Sequence, residues 1–267
     1  MAKGSVQAKN KEFYQRLYSK SGIISHILHM SISFDQQSKA KVNKKVLSPY
    51  IDNALSIENE AGVSLLDFGS GWGSMLRKIP KELNLYCFDL SQKSMQLTCA
   101  TLGKLGYNIH KARVTENKIV PENLDFIVCS HVLEHVDSDI DTLRLFSVAL
   151  KESGVLLINV PINEVWEDPK HIRFYDEKSV RQALRTAGFE LISIDEVDRW
   201  TGFLLSTECS TEYVSVLKKL IFKSLRVFLA IIPLSVCTYL ETLFLKKRPF
   251  QQMIIVARRV KEPLINI

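Results

Sequence analysis

The sequence predicts an α/β fold, a mostly parallel seven-stranded sheet with helices on both faces. Three observations carry this. Four short apolar runs, Val63–Phe68, Leu85–Phe88, Leu124–Cys129 and Val155–Val160, show no polar alternation, so both faces of each strand are buried. Helical patterns separate these runs, and strand–helix alternation winds a sheet with helices on either side. The first run opens directly into Gly69-Ser70-Gly71-Trp72-Gly73, a turn suited to a ligand at the strand ends.

The elements follow in chain order. Residues 1–55 read as a helical cap, with an aromatic, basic helix around Phe13, Tyr14, Leu17 and Tyr18 and a second helix at Ser38–Tyr50. Residues 56–213 read as the ligand-binding core. There a short helix, Ser74–Ile79, precedes Pro80, and Ser91 N-caps a helix through Leu102. A third strand lies around Ile109–Arg113. Ser138 or Asp139 opens a helix through Leu150, stopped near Gly154. Asp176–Ala187 is a further helix, with Gly188 just past its end. Leu191–Val197 and Met253–Val260 are two more strands. Between them, residues 214–249 read as an apolar, basic helical insertion, and 250–267 as the final strand and tail.

Among the 267 residues, 46% are apolar and 24% charged, a globular composition that excludes a disordered or collagen-like chain. The net charge of +6 hides a split: +7 over residues 1–50, −9 over 51–213 and +8 over 214–267. A uniformly basic nucleic-acid surface is therefore not what the mean describes. The five cysteines are odd in number and contain no CxxC pair, which argues against a disulfide framework or a zinc knuckle. Met1–Lys11 has no apolar core of a secretory signal, so a reducing, cytoplasmic setting is expected.

The glycine turn lets the backbone approach a ligand closely, and the segment behind it favours anionic groups. Its spacing, Gly69-x-Gly71-x-Gly73, departs from the dinucleotide fingerprint GxGxxG and lacks the Lys-Ser/Thr of a P-loop. Asp89 ends the next strand, 20 residues after Gly69. From there a carboxylate can accept both hydroxyls of a ribose, or simply cap the helix at Ser91. Together the elements predict a nucleoside-containing ligand.

These residues resemble the class I S-adenosylmethionine-dependent methyltransferases, with their Rossmann-like fold. LLDFGSGWG resembles the first motif of that family and FDLS the second. LDFIVCSHVLEHV and LKESGVLLINVP resemble the fourth motif and its sequel, and HIRFYDEKSVRQALRTAGFELISI the tail of small-molecule and quinone-type members. The resemblance covers roughly residues 62–197. It implies S-adenosylmethionine as cofactor and S-adenosylhomocysteine as product. Asp67, Gly69, Ser70, Gly71 and Gly73 would line its methionine part, Asp89 hold the ribose and Leu90 lie against the adenine. Ser130 and His131 would stand at the cofactor–substrate junction. The acidic residue that meets the adenine amine in many members is missing near 109–113, where Thr115 or Glu116 stands in. The competing class is a methyltransferase-like module that binds the nucleoside without catalysis.

His131-Val132-Leu133-Glu134-His135 also matches H-x-x-E-H, the inverzincin zinc-peptidase pattern. That pattern needs a helix carrying both histidines on one face, whereas here it follows a buried strand. A zinc peptidase is therefore the minor alternative, and no metal is expected. His171 is either a loop histidine packed on Tyr175 or a general base for an acceptor hydroxyl, with His131 as second candidate. Tyr14, His135, Arg173 and Tyr175 complete the expected substrate contacts.

No Asn/Asp-Pro-Pro-Tyr sequence follows the fourth strand, no Pro-Cys nucleophile stands there, and Cys129 reads as a small strand hydrophobe. The acidic core also repels a phosphate backbone. Nucleic acid is thus disfavoured, and the expected acceptor is an oxygen on a small or lipid-linked molecule.

Val227–Leu245 is a 19-residue run whose single charge is Glu241, near the lower limit for a membrane span. Pro233 breaks it, and a crossing would put Met253–Val260 on the wrong side of the membrane from its sheet. Two helices, about 214–231 and 234–246, fit better. They either touch the inner face of a membrane through 214–247, with Lys218, Lys219, Lys223, Arg226, Lys246, Lys247 and Arg248 on anionic head groups, or pack as a lid. A hydrophobic homodimer face is the third use of such a surface.

Overall fold

The computed structural model describes residues 6–57, 62–165, 168–208 and 216–260. Seven strands form one sheet: β1 (Ser64–Phe68), β2 (Asn84–Phe88), β3 (Ile109–Lys111), β4 (Leu124–Ser130), β5 (Leu150–Pro161), β6 (Phe189–Val197) and β7 (Gln252–Arg259). Their order is β3-β2-β1-β4-β5-β7-β6. All are parallel except β7, which runs antiparallel to both β5 and β6. The insertion supplies the length that returns β7 between its two neighbours.

The helices are α1 (Val6–Ser19), α2 (Ile23–Ile32), α3 (Phe34–Ile57), α4 (Gln92–Lys104), α5 (Asp139–Ala149), α6 (Glu177–Thr186), α7 (Trp200–Glu208), α8 (Val216–Ile231) and α9 (Leu234–Phe244). Their starts follow the expected caps. Ser91 Oγ accepts from Ser94 N at 3.2 Å, and Asp176 Oδ1 from Ser179 N at 2.7 Å. Successive strand residues serve opposite layers. Leu65 packs with Met30, Leu47 and Ile51, while Leu66 packs with Leu143, Phe146 and Leu184.

Several expectations change. The helix expected at Ser74–Ile79 is a single tight turn, Leu76–Lys78, because Pro80 disfavours helical geometry just before it. The third strand stops at Lys111, a short exposed edge, and Arg113–Val114 instead pairs antiparallel with Ile119–Val120. β5 begins directly after α5, at Leu150 rather than Val155. The N-terminal segment is more than a cap, since α2 and α3 supply one layer of the core. The C-terminal helical unit starts earlier than residue 214. Trp200 and Leu204 of α7, which the sequence did not suggest, pack with Phe34, Leu229, Ala230 and Cys237. The expected boundary at 213 and 214 lies outside the described residues.

The long apolar run breaks at Ile232–Pro233 into α8 and α9. The end of α8 is tied to α3 by Lys41, whose Nζ donates to the carbonyls of Leu229, Ala230 and Ile232 at 3.3, 2.7 and 2.6 Å. Among the described residues, no helix is long and apolar enough to cross a membrane.

Candidate functional site

The site lies at the C-terminal ends of β1, β2, β4 and β5. At the end of β1 the chain turns with φ of +85° at Gly69 and +49° at Gly71, a region that glycine enters without a Cβ penalty. A Cβ on Gly69 would stand 2.2 Å from Val132 Cγ2, so the turn and the loop after β4 touch only because that atom is missing. The amides of Gly69 and Ser70 donate to Phe88 O at 2.8 and 2.9 Å, locking the turn against β2.

Asp89 closes the arrangement. Its Oδ2 accepts from Gly71 N at 3.0 Å and its Oδ1 from Ser91 N at 2.8 Å. The capping bond to Ser91 thus leaves each oxygen a second lone pair that a ligand in the cavity could use. Burial raises the Asp89 pKa despite these bonds. Asp67, on β1, is pushed up to about 7 by burial and then by the Asp89 charge. The two acids form an anionic floor that favours a cationic guest.

α1 covers this floor. Tyr18 Oη lies 3.2 Å from where a Cβ on Gly71 would sit, and the Tyr18 ring meets Trp72 edge-on at 4.6 Å. His29 stacks on the other part of Trp72 at 4.4 Å. Tyr14 meets His135 edge-on at 6.3 Å, and Asn10 Nδ2 donates to His135 O at 3.3 Å. Burial, reinforced by Glu134 and Asp89, holds the Tyr14 phenol far above its ordinary value, so it stays a neutral donor.

The loop after β4 carries the second set of groups. His131 has φ +55°, a strained position for a non-glycine, kept in place by its N–H donating to Asn159 O at 2.8 Å. His131 Nδ1 lies 3.4 Å from Glu134 Oε1. His135 Nδ1 stands 3.1 Å from Lys170 O, His171 Nδ1 stands 2.8 Å from Glu164 Oε1, and the His135 and His171 rings are 4.8 Å apart.

One cavity of about 1500 Å³ joins both sets. It is lined by Tyr14, Asp67, Gly69, Ser70, Gly71, Asp89, Leu90, Thr115, Ser130, His131, His135 and His171, all expected from the sequence. Glu116 lines it beside Thr115, so the adenine-side alternatives share one wall. Gly73, Arg173 and Tyr175 do not line it. Gly73 instead admits α4, since a Cβ there would meet Thr98 Cγ2 at 2.7 Å. Arg173 donates to the carbonyls of Leu133, Val136 and Asp137, and Tyr175 Oη to Leu133 O at 3.3 Å and Asp139 Oδ2 at 3.1 Å. Both brace the loop from behind. His171 packs with His135 and Glu164 rather than on Tyr175 as expected. Sequence reasoning missed Asp35, Lys39, Asn43, Glu164 and Gln252, which line the cavity from α3 and the strand ends. Tyr18 had a signal, one helical turn after Tyr14 on the same face.

The residues present fit an adenosine bearing a cationic amino-acid tail. Ser70 Oγ, Ser130 Oγ and His131 Nε2 are buried, belong to residues that line the cavity and have no hydrogen-bond partner among the described residues. The acids offer the negative counterpart, and Phe88 and Met95 an apolar wall.

Comparison with known proteins agrees. The family model described as a methyltransferase domain matches residues 39–194. No curated protein matches by sequence. A methyltransferase structure from Aquifex aeolicus, dependent on S-adenosylmethionine, superposes with TM-score 0.52 at 16% identity, covering 94% of this chain and 98% of that one. Phosphoethanolamine N-methyltransferase 2 of Haemonchus contortus, solved with S-adenosylhomocysteine and phosphomonomethylethanolamine, gives 0.58 at 14% identity, covering 93% and 60%. The [4+2]-cyclase SpnF gives 0.52 at 16% identity, covering 81% of each chain. At such identities these structures share the fold with this chain.

Proposed function

The chain belongs to the class I S-adenosylmethionine-dependent methyltransferases, and on that premise we propose that it methylates an oxygen of a small or lipid-linked acceptor. Asp67, Gly69, Ser70, Gly71, Asp89, Leu90, Thr115 and Ser130 would hold the cofactor, which when bound supplies an electrophilic methyl group on a cationic sulfur. Asp67 and Asp89 offset that positive charge. α1, through Tyr14 and Tyr18, shields the cavity from water, which strengthens every charge interaction inside. The loop braced by Arg173 and Tyr175 fixes the acceptor against the turn, and such alignment is the main task in an in-line displacement.

The observation that carries the oxygen reading is the ring of groups opposite the glycine turn. His131, His135 and His171, with Glu134, face the same cavity as Gly69 and Asp89. An acceptor hydroxyl held there can lose its proton near neutral pH. The test is incubation of the full chain with methyl-labelled cofactor and a cell extract, followed by identification of labelled products. Methyl ethers or esters are expected. Labelled amines alone would overturn the oxygen reading, and cofactor binding without any turnover would make the chain a binding module.

A lipid-linked acceptor is supported by the surface of α2, α8 and α9. Ile24, Leu217 and Phe244 are 78, 68 and 71% exposed, and Lys219, Lys223, Lys246 and Lys247 stand in solvent beside them. α8 and α9 rest on α3, which also lines the cavity. An anionic leaflet matches both parts of this face. Flotation of the full chain with phosphatidylglycerol vesicles, abolished by Lys219→Glu with Lys223→Glu, is expected. Absence of flotation together with concentration-dependent dimerisation would assign the face to a homodimer instead.

A further inference from the structure

We propose that Glu134, His135 and His171 form a binding site for one divalent metal ion of the zinc class, with coordination positions open to the cavity. One donor atom from each of the three residues lies within 4.8 Å of the others. A tetrahedral zinc with bonds near 2.1 Å needs donors about 3.4 Å apart, so small side-chain rotations close the set.

The hydrogen bonds around the histidines assign their tautomers. Lys170 O can only accept, so His135 Nδ1 carries its proton and Nε2 presents a lone pair. His171 Nδ1 likewise donates to the Glu164 carboxylate, leaving Nε2 as a donor atom for a metal. An imidazole whose far nitrogen is anchored to a carbonyl or carboxylate is the usual outer arrangement of metal-bound histidine. Glu134 supplies the independent sign. Its side chain is fully buried, yet among the described residues neither carboxylate oxygen has a partner at good hydrogen-bond distance. The nearby His131 Nδ1, at 3.4 Å, is beyond good hydrogen-bond distance. A buried, unsatisfied carboxylate is costly, and a cation relieves that cost.

The supporting frame is rigid. Ile172 N donates to Glu134 O at 2.9 Å, which ties the two ligand-bearing loops in register. Arg173 and Tyr175 hold the carbonyls on either side of Glu134. Two imidazoles with one carboxylate favour transition metals over magnesium or calcium, and three protein ligands leave room for a fourth from the cavity. The sequence pattern H-x-x-E-H thus holds two of the ligands, but His171 from a distant loop takes the place of His131. The site stands independently of the acceptor. Its role, holding an acceptor hydroxyl and easing loss of its proton to solvent, rests on the oxygen reading above and makes His171 a ligand rather than a base.

The test titrates metal-free full chain with ZnCl₂ by calorimetry and with CoCl₂ by visible absorption. One equivalent should bind, with cobalt bands of a nitrogen- and oxygen-ligated site. His135→Ala, His171→Ala and Glu134→Gln should each weaken zinc binding about 100-fold or more. His171→Ala should keep S-adenosylmethionine binding, which shows that it is folded. Cys99→Ser should leave zinc binding unchanged. No zinc binding, titrations that His135→Ala and His171→Ala leave unaltered, or loss in Cys99→Ser would overturn the site. Zinc bound as expected without any oxygen-methylated product would retire the acceptor reading while supporting the site.

Discussion

Asp67→Asn separates two opposed consequences of one buried carboxylate. Asp67 is 3% exposed and is held at about 7 by burial and then by Asp89. At pH 7 about half of the free protein therefore carries this charge. A cationic guest favours the ionised form, so cofactor binding releases a proton and affinity rises with pH. With a pKa near 7, the ionised fraction grows from about one tenth at pH 6 to about nine tenths at pH 8, so affinity should rise about 10-fold, or ~1.4 kcal/mol. The Asn variant should show a flat profile, matching the wild type near pH 6 and binding about 10-fold more weakly at pH 8. Stability moves the other way. The folded pKa of about 7 lies above the ordinary 3.8, so the native state keeps a proton that the unfolded chain has released. Stability of the ligand-free protein therefore falls as pH rises from about 4 to 7, by on the order of 4 kcal/mol in full. Asp67→Asn removes that loss and should be the more stable protein at pH 8. Calorimetry from pH 6 to 8 in two buffers of different ionisation enthalpy, with urea unfolding of both proteins, reads all of this. A wild-type affinity that ignores pH, or an Asn variant that binds weakly and is also less stable at pH 8, would refute the reasoning.

Gly69→Ala forces a Cβ to within 2.2 Å of Val132 Cγ2 at φ +85°, so urea unfolding should show a loss of about 2–4 kcal/mol together with weaker cofactor binding. Lys41→Met leaves three carbonyls at the end of α8 without their donor, costing about 1–3 kcal/mol and making the hairpin the first site of limited proteolysis. His26 is fully buried, and burial, then His29, lowers its pKa to about 4. Stability should therefore fall as pH drops from about 6.5 to 4, by about 3 kcal/mol, and His26→Gln should flatten that part of the acid-unfolding curve. Arg173→Ala loosens the loop after β4 without touching the cavity. It should lower kcat about 10-fold while calorimetric cofactor affinity stays within about 2-fold.

The strands were legible because two-sided burial leaves an unmixed apolar run, and the turn side of the cavity because its signal is local. Gly69, Gly71 and Asp89 declare themselves by spacing across one strand–turn–strand unit. The opposite side of the cavity is built from residues about 40 positions apart, whose arrangement no local pattern announces. Arg173 and Tyr175 carry groups that suit a substrate, yet in the fold they meet the backbone carbonyls of Leu133, Val136 and Asp137 and the carboxylate of Asp139, partners that no local pattern encodes. Gly73 belongs to the same motif as Gly69, but its missing Cβ makes room for Thr98 of α4, a packing neighbour rather than a ligand. Glu134 sits in a pattern set aside in the sequence because no helix carries it, and only the fold brings it beside His171.

The charge split can now be placed in space. Part of the N-terminal excess lies on α3, where Lys41, Lys44 and Lys45 gather with Lys78 around the start of α9. Burial and then the charges of Lys41, Arg77 and Lys44 push the Lys78 pKa down to about 8. Such crowding of like charge opposes the folded state, since each cation raises the cost of its neighbours. Asp67 and Asp89 do not relieve it, because they lie at the strand ends, inside the cavity. What relieves crowded cations beside exposed isoleucine, leucine and phenylalanine is a surface that is both anionic and apolar. On the proposed reading that surface is an anionic leaflet under α3 and the α8–α9 hairpin, and α3 joins this face to the cavity.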